Sequence, residues 1–219
     1  MNNRTHWIHW TRGPFVSVFA ASLLIGCQSN KDSGTRATTP ETKAPPVAKA
    51  SLNVATVSPP AATEPTPARP TVRIKAGTTA SYTDSNGNVW LPDQGFADGE
   101  TIARTGDLFI ANTKDPALYR TERYSMTAFS YNLPNGKYTV KLHFAETFEE
   151  INGPGQRVFS FKVQGHEFKD FDIFVKAGGV QRAYIETVDV DVTEGKLDIA
   201  FTPNVQNPEI NGIEIIPRS

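Results

Sequence analysis

The chain has 219 residues, with 22 Lys and Arg against 23 Asp and Glu and a formal net charge of −1. The opposite charges are interspersed, so no basic field exists to draw in a nucleic-acid backbone, and nucleic acid is excluded as a partner. A single cysteine, Cys27, excludes an internal disulfide and any cysteine-ligated zinc or iron–sulfur site, and no cofactor is expected.

Residues 1–26 read as a signal peptide. Arg4 and Arg12 precede an apolar run from Phe15 to Ile25, which small residues close just before Cys27. The run falls short of the roughly 20 apolar residues that span a bilayer. Leu24-Ile25-Gly26-Cys27 resembles the bacterial lipobox, which implies lipidation of the Cys27 thiol, cleavage before it and attachment to a membrane. A plain secretory peptide with an incidental cysteine is the alternative. Lipidation is favoured because the thiol stands directly behind the apolar run and has no other cysteine to pair with. Gln28 after the cysteine, rather than aspartate, points to the outer membrane of a bacterial envelope.

Residues 27–70 carry no aromatic side chain after the cysteine and are rich in Pro, Ala, Thr, Ser and Lys, with Pro45-Pro46 and Pro59-Pro60 among them. Such a segment buries too little apolar surface to offset its ordering entropy, so a disordered tether is expected. As a random coil it would span roughly 35 to 40 Å, and polyproline stiffening would extend it towards about 100 Å.

Residues 71–219 hold most of the apolar and aromatic content and read as one domain of short strands. Apolar residues alternate with polar ones at Val72, Ile74 and Ala76, from Tyr138 to Phe144, from Phe159 to Val163, from Val188 to Val192, at Leu197, Ile199 and Phe201, and at Ile213 and Ile215. Pro134-Asn135-Gly136 and Glu194-Gly195 predict hairpin turns between neighbouring strands. No stretch of twelve residues keeps a helical period. The expected fold is all-β, a jelly-roll β-sandwich of two antiparallel sheets with loops gathered at its ends.

Several motifs in order carry a family resemblance. They are Ile74-Lys75-Ala76-Gly77, Tyr82-Thr83-Asp84, Trp90, Asp93, Gly95-Phe96, Asn112-Thr113, Leu118 to Tyr124, Asn135-Gly136, Phe144-Ala145-Glu146, Arg157-Val158-Phe159, Phe171-Asp172-Ile173 and Ile210-Asn211. From Thr71 to Pro217 the chain resembles the malectin family, whose best-known members bind glucose-containing oligosaccharides. The resemblance implies a galactose-binding-like sandwich and a glycan ligand.

It also implies where that ligand sits. Aromatic rings cover the apolar C–H face of a pyranose while carboxylates or amides serve its hydroxyls. Tyr124, closing Thr-Glu-Arg-Tyr, and Phe148, the second residue after Ala-Glu, match the family's aromatic positions. Thr147 replaces an aromatic, Gln206 replaces the acid before Asn207-Pro208, and Ile102 falls near a third tyrosine position. Losing two aromatic contacts at roughly 0.5 to 1.5 kcal/mol each and one charged hydrogen bond at roughly 1.5 to 3 weakens binding by about two to four decades. Phe96, Phe109, Trp90 and Tyr82 are compensating candidates. The alternative for Tyr124 and Phe148 is a place in the sandwich core, although the polar run from Glu146 to Asn152 suits an exposed loop for Phe148. Glu122 and Arg123 read as charges that pin the motif's backbone, and Tyr119 as core.

Metal and catalytic patterns are weak. Asp84-Ser85-Asn86-Gly87-Asn88 has its glycine at the fourth position where a calcium loop needs the sixth, so an Asx or Asn-Gly turn explains it. His143 and His166 lack the spacing of a metal pair. Glu146 with Glu149, Asp172 or Asp107 makes a glycosidase carboxylate pair on paper, but nothing selects one, and no serine elbow is present. The expectation is a lipid-anchored, non-catalytic glycan-binding protein of the bacterial envelope, the alternative being an envelope module that contacts another protein.

Overall fold

Alternating burial shapes the strands that carry the core. The structure, a computed structural model, describes residues 69–219; the expected signal peptide, Cys27 and all but the last two residues of the expected tether lie outside the described residues. The chain opens with β1 (Val72–Lys75), β2 (Tyr82–Thr83), β3 (Val89–Trp90), β4 (Phe96–Ala97) and β5 (Glu100–Ala103). After a 3-10 turn at Pro116–Arg120 come β6 (Thr121–Tyr124), β7 (Ala128–Asn132), β8 (Gly136–Phe144), β9 (Val158–Val163) and β10 (His166–Phe171). A short helix, α1 (Ile173–Ala177), leads to β11 (Tyr184–Val192), β12 (Lys196–Val205), β13 (Glu209–Ile210) and β14 (Gly212–Pro217). Asp172 caps α1 by accepting from the Val175 N–H, and Gly178 ends it in the left-handed conformation.

Two sheets pack face to face. One has the order β1-β14-β8-β11 and the other β10-β9-β12-β7-β4, with every pairing antiparallel. Between them Phe144 of β8 meets Phe171 at 4.9 Å, Phe161 at 6.0 Å and Phe159 at 6.2 Å, ring centre to ring centre. These offset, tilted aromatic contacts add to the hydrophobic burial that holds the sheets together.

The two expected hairpins are absent. Pro134-Asn135-Gly136 joins β7 in one sheet to β8 in the other, and Glu194-Gly195 likewise joins β11 to β12 across the core. A type I′ turn needs positive φ at both central residues. Gly136 and Gly195 have it, Asn135 and Glu194 do not. The two connections instead form adjacent arches, tied by Gly195 N–H to Asn135 Oδ1 at 2.7 Å and Leu133 N–H to Gly195 O at 2.9 Å. Gln164 and Gly165, which link the paired strands β9 and β10, both have positive φ.

A smaller sheet, β13-β6-β5, adjoins the far end of β8. Asn211 fastens it there: its N–H donates to His143 O at 2.9 Å, and its amide nitrogen donates to Tyr119 O and Thr121 O. His143 is a satisfied core histidine, sharing a 2.8 Å hydrogen bond with the Tyr119 hydroxyl and a 3.1 Å contact with Glu214 Oε1. At the other end of β8, Arg69 donates to Arg218 O at 2.8 Å and to Lys137 O at 3.3 Å. The described chain therefore enters the domain beside its last strand.

Candidate functional site

Period-two alternation along β6 sorts its side chains. Glu122 and Tyr124 point to one side and Thr121 and Arg123 to the other. Arg123 engages both Asp93 oxygens at 2.8 to 3.1 Å and donates to the carbonyls of Asp98 and Gly99. Glu122 bonds Arg104 at 2.9 Å. The two charges do pin the motif, each with a separate partner on an opposite face.

On the Tyr124 side lies a pocket of about 220 Å³, lined by Ile102, Arg104, Glu122, Tyr124, Phe148, Arg157, Gln206 and Asn207. Its walls come from β5, β6 and the loops that follow β8, precede β9 and follow β12. Tyr124, Phe148 and Gln206, separated by up to 82 positions, face one cavity together with Ile102. The volume lies below the roughly 300 Å³ where small-molecule pockets usually begin, so it suits the end of an oligomeric ligand better than a whole one.

Thr147 is not on the pocket surface. Its hydroxyl is buried one layer behind, donating to Glu122 Oε2 at 2.6 Å and accepting from Arg104 Nε at 3.0 Å. The other aromatic candidates lie elsewhere. Trp90 is buried and donates to Asp84, Tyr82 donates to Asp115, Phe96 packs on Phe129 at 5.0 Å, and Phe109 is 73% exposed. Asp84 closes the expected Asx turn by accepting from the N–H groups of Asn86 and Asn88. Among the described residues, no three or more His, Cys, Asp or Glu side chains converge as metal ligands.

The floor is a charge cluster that sequence inspection missed. Arg157 donates to Glu146 Oε2 at 2.6 Å and to Asn207 O at 2.6 Å, and Glu146 Oε1 accepts from the Phe148 N–H at 2.9 Å. The carboxylate once paired with catalysis on paper is thus buried in an ion pair and occupied in fixing the Phe148 loop. Arg157 also lies 6.0 Å from the centre of the Phe148 ring. Glu209 stands directly across from Tyr124 in the β13–β6 pairing, fully buried, and neither carboxyl oxygen has a hydrogen-bond partner.

Burial pushes the Glu209 carboxyl well above the usual carboxylate range, and the nearby Glu122 and Glu146 push the same way against Arg157 and Arg104. Burial opposes the charge on Arg157, but Glu209, Glu146 and Glu122 outweigh it and raise its pKa. Of this cluster, Glu122, Glu146 and Arg157 lie in the motifs quoted above, whereas Arg104 lies in none of them.

The fold is thus an all-β sandwich whose end loops enclose a small pocket, with aromatic walls over a braced polar floor. The family model described as Malectin domain matches residues 71–214, and the chain belongs to that family. Malectin-B of Xenopus laevis is 37% identical over 93 residues, covering 41% of this chain and 33% of that protein. A probable leucine-rich repeat receptor-like serine/threonine-protein kinase of Arabidopsis thaliana is 38% identical over 128 residues, covering 54% of this chain and 12% of its own length. The chain thus spans a third or less of these relatives.

Solved structures share the fold at low identity. A Bacteroides uniformis β-glucuronidase superposes with a TM-score of 0.61 at 21% identity, covering 68% of this chain and 18% of the enzyme. The ANX1 ectodomain of Arabidopsis thaliana gives 0.59 at 18% identity, covering 68% and 48%.

Proposed function

We propose that this chain binds an oligosaccharide without transforming it, through the pocket between Tyr124 and Phe148, and that a lipid on Cys27 anchors it to a bacterial envelope membrane. The supporting observation is the meeting of those two rings and Gln206 over a hydrogen-bonded floor. The rings supply apolar faces for a pyranose, and the amide supplies a donor and an acceptor for its hydroxyls. Membership of the malectin-domain family supports a glycan ligand, with glucose-containing glycans the first to try. The burial of Glu146 against Arg157 speaks against its service as a free catalytic acid.

A glycan array probed with the full chain tests the reading. Hits are expected, and Phe148→Ala or Tyr124→Ala should each weaken them by about two- to tenfold while the melting temperature stays near that of the unsubstituted protein. An array without hits sinks the proposal. The competing reading, a protein-contacting module, draws on the exposed Phe109 and on a fold relative solved as a complex of a plant peptide, RALF23, with FER and LLG2. It predicts a co-purifying envelope protein that Phe109→Ser releases.

A further inference from the structure

The polar groups around the pocket are unevenly matched. Glu122 has both carboxylate oxygens engaged, Oε1 by Arg104 and Oε2 by Thr147. Glu146 is 1% exposed and receives Arg157 and the Phe148 N–H, and Gln206 Oε1 receives the Asn207 N–H at 3.1 Å. Each of these acceptors already receives a hydrogen bond from the protein, whereas one donor edge on the pocket makes none. Arg104 uses Nε for Thr147 and Nη2 for Glu122, which occupies one side of its planar fork. The edge formed by Nη1 and the second Nη2 proton has no partner among the described residues. The Arg104 side chain is 18% exposed against 4% for Glu122, so the cation of this pair is the member that meets solvent in the pocket.

That pattern discriminates between ligands. A sugar hydroxyl is both donor and acceptor and needs a protein acceptor for its proton, whereas a carboxylate only accepts. A guanidinium edge presents two parallel N–H groups at carboxylate spacing and cannot lose its charge. Resting on the reading of this pocket as a sugar site, we propose that its ligand is an acidic glycan, with the carboxylate of a uronic acid docked end-on to Arg104. The Gln206 amide nitrogen supplies a further donor, and Tyr124 and Phe148 flank the ring.

The test titrates the full chain calorimetrically with an oligogalacturonide and an oligoglucuronide, and with the same oligosaccharides after reduction of their carboxyls to primary alcohols. Binding of at least one acid form should be about tenfold or more tighter than that of its reduced counterpart. The advantage should shrink as salt rises. Arg104→Gln should erase the difference between the acid and reduced forms. Equal affinities, a preference for the reduced forms, or an advantage that survives Arg104→Gln overturns the proposal. Because Arg104 also braces Glu122 and Thr147, the acid-to-reduced ratio and its salt dependence are read first on the unsubstituted chain, so a variant that misfolds leaves the decision intact. If the acidic and reduced forms both fail to bind but other array glycans do, only the acidic-ligand proposal falls; if no glycan binds, the sugar-site reading falls with it.

Discussion

Glu209 is a fully buried acid with neither oxygen hydrogen-bonded, among two other carboxylates and two arginines. An acid whose pKa is higher in the folded state holds its proton more tightly there than in the unfolded chain. Its contribution is fully present below the unfolded value near 4.5 and is lost as pH rises towards the folded value. Thermal unfolding of the chain at a series of pH values should therefore show stability falling above about pH 4.5. Glu209→Gln, neutral at every pH, should flatten that fall, and an unchanged slope would assign it to other groups. The same residue marks a limit of sequence reading. Tyr124 and Phe148 stand out because they match aromatic positions of the malectin family, whereas Glu209 and Arg104 look like ordinary surface charges until the fold buries one and aims the other. Thr147 shows the converse: it stands where the family has an aromatic, which implies a pocket wall, but its hydroxyl lies one layer behind, where it braces Arg104.

The elements were more legible than their connections. Strands such as β8 and β11 were readable because each buries alternate residues on a single core face, and period two survives in the sequence. Which sheet a strand joins is not written in that period. Both arms of an arch show the same inward-facing alternation as the arms of a hairpin, so Asn135-Gly136 and Glu194-Gly195 misled on pairing although they marked turns correctly. Gly77 illustrates what binds β1 to the site. Its φ is +75°, and a Cβ there would fall 2.5 Å from the carbonyl oxygen of Glu122 while its N–H donates to Asp93 at 2.7 Å. Only glycine fits so close to the β6 backbone in that conformation. Gly77→Ala should cost roughly 1 to 3 kcal/mol, measured by urea unfolding, and should weaken glycan binding by shifting Glu122 and its partner Arg104. A wild-type denaturation midpoint would show that β6 moves aside freely.

At the scale of the whole molecule, the proposed anchor and the proposed site make separable predictions. Cys27→Ser should abolish fatty-acid labelling and release the protein from membranes, while its binding of glycan in solution stays unchanged. Labelling that persists would refute lipidation at Cys27. The separation follows from where the chain enters. Arg69 is held beside Lys137 at the beginning of β8 and beside Arg218 near the last strand, whereas Phe148 and the pocket lie just beyond the other end of β8. The nine residues of that strand put about 30 Å between the two. Among the described residues the chain's entry and the pocket therefore lie at opposite ends of β8, so a pull applied through the proposed anchor loads the base strands and not the loops that form the proposed glycan site.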